Sequence, residues 1–229
     1  MSALAPDFRV IAPNLPFASP KDFSHLHSLR SYVDFLLEFA DKLDLEKISI
    51  FGNSVGGTLG LLCCLENPNS FEKLIIRCPV WSRTQLPIFL RNQPLIHLHQ
   101  WLSHNRAYAL KIMKIFYYAS ARMSPAPILN NVDQSKNLLP FNPDQISPTI
   151  LSSFLGHLLQ VEIEPQLARI STETFILWGA HDNFIQSSWG RCLKKLLPNA
   201  KFREMPGEYH NIATVDIKRL AQNIVEFFG

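Results

Sequence analysis

Three residues of this 229-residue chain have the types and settings for nucleophilic chemistry on a carbonyl: Ser54, Asp182 and His210. A serine hydroxyl attacks only when an imidazole takes its proton, and the imidazole needs a carboxylate to orient it. Ser54 lies in Gly52-Asn-Ser-Val-Gly56, after the apolar run Ile48–Phe51 and before an apolar helical pattern. A strand, a Gly-x-Ser-x-Gly turn and a helix set a hydroxyl on a sharp corner at the strand's end. Side chains in place of Gly52 and Gly56 are expected to collide where strand and helix pack closely. Asp182, in Gly179-Ala-His-Asp, and His210, in Pro206-Gly-Glu-Tyr-His, each follow a strand pattern. Functional groups of a parallel α/β sheet gather at the carboxyl ends of strands, and the order Ser, Asp, His fits that arrangement. Each residue also has a plainer reading: a turn serine, an aspartate capping a helix, a loop histidine.

The elements that must position these groups alternate along the chain. Phe8–Asn14 reads as a strand stopped by Pro13 and Pro16, and Leu29–Leu43 as a helix with Leu29, Tyr32, Val33, Leu36, Phe39, Ala40 and Leu43 on one face. Lys47–Phe51 is a strand, Val55–Glu66 a helix closed before Pro68, and Leu74–Cys78 a strand ended by Pro79. The rhythm breaks at Val80. From Trp81 to Pro165 the pattern is helical and proline-punctuated: a helix over Arg106–Arg122, an irregular stretch Pro125–Pro148 and a short helix Ile150–Val161. It resumes with a strand Thr174–Trp178, a helix Ser187–Leu197 and a strand Ala200–Met205. A closing helix, Asp216–Phe228, should face Ile217, Leu220, Ile224, Phe227 and Phe228 inward. The fold class is therefore α/β: a mostly parallel sheet with flanking helices, residues 1–81 and 166–229, interrupted by a helical insertion, 82–165.

Composition narrows the function classes. A net charge of +3 gives no footing for nucleic acid or an anionic membrane. No apolar run reaches the ~18 residues of a membrane span, and the N-terminal residues lack the basic head and apolar core of a signal peptide. Cys63, Cys64, Cys78 and Cys192 show no Cys-x-x-Cys spacing, so free thiols in a reducing cytoplasm are expected rather than a metal site or disulfide. His97 and His99 would share a face only on a strand, which that segment does not resemble, so no metal is assigned there. His181, next to the acid, is expected to turn away from Ser54, toward loop packing or substrate.

At Phe8–Pro16, Gly52–Gly57, Leu177–Asp182 and Met205–His210 the chain resembles the α/β-hydrolase superfamily, of the capped serine esterase, lipase and carbon–carbon bond hydrolase type. The resemblance covers residues 7–81 and 171–228, with a mobile helical cap expected between. It implies Ser54 as nucleophile, Asp182 as acid and His210 as base. The Val55 backbone N–H is then an oxyanion donor, and Asn53 and Trp81 contact the substrate. It implies a small-molecule substrate and neither cofactor nor metal. The family's second oxyanion donor comes from a His-Gly loop, and no His-Gly pair occurs in this chain. The family pattern also begins several strands before Phe8. A strand is then missing between Phe8–Asn14 and Ile48–Phe51, and an exposed sheet edge should promote self-association. One lost oxyanion donor costs about 10²–10³ in kcat, so weak or no activity is expected of this chain alone. Two classes stay open. One is a serine hydrolase acting through acyl-Ser54 on an apolar or aromatic acyl substrate; the other is a silent hydrolase-like module that binds a ligand or partner.

Overall fold

Alternation within the strands decides the architecture. In the computed structural model, which describes residues 3–13, 15, 28–86, 91–102, 105, 107–108, 111, 156–210 and 215–229, the elements run α1 (Leu29–Lys42), β1 (Ile48–Asn53), α2 (Val55–Glu66), β2 (Phe71–Arg77), α3 (Gln93–Leu102), β3 (Glu173–Gly179), α4 (Ser188–Leu196), β4 (Ala200–Met205) and α5 (Ile217–Phe228). Leu74 and Ile76 of β2 and Ile176 and Trp178 of β3 join one core, while Ile75, Phe175 and Leu177 join another on the opposite face. Strands buried on both faces need cover on both, the condition of a parallel α/β sheet. The four strands pair in parallel in the order β1-β2-β3-β4.

Helices supply the cover. On one face α1, α2 and α4 contribute Tyr32, Val33, Leu59, Leu61, Cys63 and Leu193 to the larger core. On the other, α5 lays Leu220, Ile224 and Phe227 against Ile75, Phe175, Leu177 and Met205. The helix starts are set by local chemistry. Ser28 and Ser31 form a reciprocal capping box at α1, and Asp216 accepts the N–H groups of Lys218 and Arg219 at α5.

The chain leaves the sheet after β2 and returns before β3 through a clasp. Ser82 and Glu162 form an isolated antiparallel bridge, the Ile163 N–H donates to Trp81 O at 3.0 Å, and the Arg83 N–H donates to Val161 O at 2.8 Å. The buried Gln85 side chain braces this neck: its Oε1 accepts from the N–H groups of Trp81 and Ser82, and its Nε2 donates to Pro79 O. Of the elements expected inside the insertion, Arg106–Arg122 and Pro125–Pro148 lie wholly or largely outside the described residues. The helix expected over Ile150–Val161 is described only from Gly156 onward.

Three expectations are corrected. Residues 8–13 form no strand, because extended backbone becomes one only where a neighbour completes its ladder, and among the described residues none does. Phe8 instead sets its ring edge-on to Phe228, with centroids 6.0 Å apart. Ile217 is 57% exposed, since it opens α5 a turn ahead of the apolar stripe, and Leu43 falls beyond the end of α1 and is exposed as well. β1 stands at the margin of the sheet, with its outer edge unpaired among the described residues. No described helix is long and apolar enough to cross a membrane.

The cysteines give a check on this packing. Burial pushes the Cys63 thiol up to about 12 and the Cys64 thiol up to about 11, because a thiolate among apolar side chains is not solvated. Cys78 is buried and raised for the same reason, whereas Cys192 is exposed. A chromogenic disulfide reagent near neutral pH should therefore find one fast thiol in the native chain, absent in Cys192→Ser, and all four after denaturation. Several fast native thiols would contradict the packing.

Candidate active site

Ser54 joins β1 to α2 in a single residue, with φ 51° and ψ −114°. A positive φ at a residue with a side chain is strained and persists only where its surroundings enforce it. They do so through the Ser54 N–H, which donates to Arg77 O at 2.7 Å, and through Thr58, whose hydroxyl donates to Val80 O at 2.7 Å and fixes the first turn of α2 to the segment that follows β2. A Cβ at Gly52 would stand 2.3 Å from Gly56 O, so no side chain fits. Gly56 is different: nothing lies within 4 Å of where its Cβ would be, which corrects the expectation that both glycines are forced. The crowded partner is Gly57, whose Cβ would meet Pro79 Cβ at 3.1 Å. Val55 opens α2, and its N–H belongs to the first helical turn, which has no intrahelical acceptor.

Asp182 and His210 come from the ends of β3 and β4. The side chain of Asp182 is fully buried; Oδ1 accepts the N–H groups of Phe184 and Ile185 at 3.0 and 2.8 Å, and Oδ2 lies 2.8 Å from His210 Nδ1. The aspartate thus shapes its own turn ahead of α4 with one oxygen and meets the histidine with the other. His210 Nε2 lies 3.0 Å from Ser54 Oγ, and the Phe184 ring stands edge-on to the imidazole at 5.1 Å. The histidine side chain is 15% exposed.

Ser54 stands at one margin of the sheet and the His210 loop starts at the other, three strand spacings or about 14 Å away. The loop returns across the carboxyl edge. Over β3 it passes so close that a Cβ at Gly179 would stand 2.6 Å from Glu208 O. Over β2 it meets Arg77, whose guanidinium is fully buried. Arg77 Nη1 donates to Asn53 Oδ1 and to His210 O, each at 2.9 Å, and Nη2 donates to Tyr209 O. Glu208, also buried, lies 3.5 Å from the guanidinium and accepts from Arg219 Nη2 at 2.8 Å. Cys78 follows with φ 48°, and its Sγ, an Asp182 oxygen and a His210 nitrogen lie within 4.8 Å of one another. Burial keeps that thiol protonated, a weak donor rather than an anionic ligand.

The profile of the alpha/beta hydrolase fold matches residues 1–215. The chain belongs to the α/β-hydrolase fold family. An uncharacterised hydrolase of Bacillus subtilis, YugF, is 23% identical over 238 residues, 96% of this chain and 80% of that protein. The 2-hydroxy-6-oxo-6-phenylhexa-2,4-dienoate hydrolase of Burkholderia cepacia is 23% identical over 206 residues, 89% of this chain and 71% of its own length. Among solved structures, a bromoperoxidase from Bacillus anthracis superposes with a TM-score of 0.78 at 16% identity, over 99% of this chain and 84% of that one. At that identity the superposition speaks for the fold alone.

Within this α/β-hydrolase fold, the expected site residues divide. Ser54, His210 and Asp182 are brought into one line, with Val55 beside them in sequence. Asn53 adjoins the serine, but its Oδ1 is taken by Arg77. Trp81 is buried where the chain leaves the sheet after β2, its ring edge-on to Trp189 at 5.6 Å; its indole N–H has no acceptor among the described residues. His181 is exposed and packs on Tyr209, the first of its two expected roles. Sequence reasoning missed Arg77, Glu208 and Phe184. For Arg77 the signal was present: a charge inside Leu74-Ile-Ile-Arg-Cys78, a run otherwise fit for a strand buried on both faces.

The glycine geometry separates two substitutions that a motif treats alike. Gly52→Ala should cost about 3 kcal/mol or more through backbone collision, whereas Gly56→Ala, in a helix with open space, should gain about 0.5–1 kcal/mol. Urea midpoints measure both, and equal losses would contradict the geometry.

Proposed function

We propose that the chain is a serine hydrolase that cleaves an ester or related acyl bond of a small substrate through an acyl-Ser54 intermediate. The observation that carries this reading is the unbroken line from Asp182 Oδ2 through His210 to Ser54 Oγ, at 2.8 and 3.0 Å. With Nδ1–H donating to Asp182, Nε2 is left as the acceptor that takes the hydroxyl proton while Oγ attacks the carbonyl carbon. The carboxylate holds that tautomer and stabilises the imidazolium. The tetrahedral oxyanion is met by the Val55 N–H and the positive end of α2. His210 then passes its proton to the leaving group, and the carbonyl re-forms as acyl-Ser54. Water enters and gives a proton to Nε2 as its oxygen attacks the acyl carbon; the acyl–Oγ bond then breaks, the imidazolium returns that proton to Ser54 Oγ, and the acid is released.

The neck of the insertion supports a lid role for residues 82–165. Its two ends are clasped at Trp81–Arg83 and Val161–Ile163, beside Val80, which Thr58 ties to the first turn after the nucleophile. An apolar or aromatic substrate is supported by the Burkholderia cepacia relative, whose name describes a phenyl-bearing substrate; Trp81, 1% exposed and packed on Trp189, belongs to the core instead of contacting substrate. Four free cysteines fit a reducing cytoplasm. A silent, ligand-binding module is the second reading, and one observation favours it: the 229 residues contain no His-Gly pair to offer a second oxyanion donor.

A fluorophosphonate probe separates the two. The enzyme reading predicts covalent labelling that Ser54→Ala abolishes and that Asp182→Asn slows on the order of 10⁴-fold. A folded chain that takes up no probe would contradict the enzyme reading and support the module.

A further inference from the structure

A guanidinium held out of water needs partners for its donors, or its burial costs several kcal/mol. The two terminal nitrogens of Arg77 have found them in an unusual combination, while its Nε has no hydrogen-bond acceptor among the described residues. Two are main-chain carbonyls, of His210 and of Tyr209 just before it; a third is Asn53 Oδ1, one residue before Ser54. Glu208, in the same returning loop, balances its charge and is held from the far side by Arg219 of α5. Arg77 therefore sits at the end of the strand next to the nucleophile strand, midway along the path the base loop must cross. Its planar fork of five fixed donors can reach the nucleophile corner and the base loop at once.

We propose that Arg77 is a positioning residue for the base: it ties the loop carrying His210 to Asn53 and so holds Nε2 over the Ser54 hydroxyl. This inference rests on the reading of Ser54, His210 and Asp182 as a proton relay. Lysine keeps the charge but is a compact ammonium without the fixed fork, and it cannot hold both sides of the gap. The loop then drifts by a fraction of an ångström or more, and both ends of the imidazole lose their alignment.

The test is the rate of fluorophosphonate labelling against probe concentration, per folded molecule, for the natural chain, Arg77→Lys and Asn53→Ala, with cooperative unfolding as the check on folding. The saturating rate reads the alignment of the relay, and the half-saturating concentration reads probe binding. Arg77→Lys should lower the saturating rate about 10–10²-fold and leave the half-saturating concentration unchanged. A folded Arg77→Lys chain with an unchanged saturating rate overturns the inference, as does one whose loss lies only in probe binding. If Arg77→Lys does not fold, Asn53→Ala decides. It removes the nucleophile side of the tie without leaving a buried charge unbalanced, and should show a smaller loss of saturating rate; no change in that rate overturns the inference. A natural chain that is never labelled overturns the relay reading and this inference with it, whereas labelling indifferent to Arg77 overturns the inference alone.

Discussion

The structure depends on a loop that must return across its own sheet. β4 lies at one margin and the serine corner at the other, so His210 can reach Ser54 only if residues 206–210 cross the ends of β3 and β2. Each strand end they cross is adapted to the crossing. Gly179 has no side chain where the loop's carbonyls pass closest, and Arg77 ends its strand with donors aimed at those carbonyls. The ladder itself continues past the strands: the N–H groups of Ser54, Cys78 and Ala180 each bond to the neighbouring strand. The site is thus an extension of the sheet's own hydrogen bonding, topped by one loop that the sheet cannot hold by ladder bonds alone.

That arrangement concentrates cost where Ser54, Asp182 and His210 meet. Ser54 and Cys78 both have positive φ, and Arg77, Glu208 and Asp182 are polar groups removed from water. Each is tolerable because its partners are present: two backbone N–H groups for Asp182, two carbonyls and a carboxylate for Arg77, two guanidinium groups for Glu208. Groups held by several partners at once have few alternative arrangements, and this fixes where Ser54, Asp182 and His210 stand relative to one another. The cores on either face supply the stability that lets these residues be placed for position rather than for packing.

Much of this was legible in the sequence, for a physical reason. The strands of a doubly covered sheet are short apolar runs, and here each is cut off by glycine or proline, so that β4 and α2 fall where the pattern places them. Ser54 and Asp182 each stand just past such a run, His210 follows the more polar, alternating β4, and their order matches the order of strand ends. What sequence could not supply was anything decided by a distant neighbour. Residues 8–13 have an extended pattern but no partner ladder among the described residues. Gly56 looks like Gly52 in a motif, yet one meets open space and the other a carbonyl. Arg77 finds its role in groups more than a hundred positions away, at Glu208, Tyr209 and His210.

The claim at the centre of this account is that His210 bridges Ser54 and Asp182 in one fixed tautomer. Nitrogen NMR of the chain labelled in its histidine rings measures this directly. The account predicts that, near neutral pH, His210 carries its proton on Nδ1, bonded to Asp182, with Nε2 bare toward Ser54, and that Asp182→Asn alone scrambles this state. A His210 ring that exchanges freely between tautomers like an exposed histidine, or that carries its proton on Nε2, would contradict it.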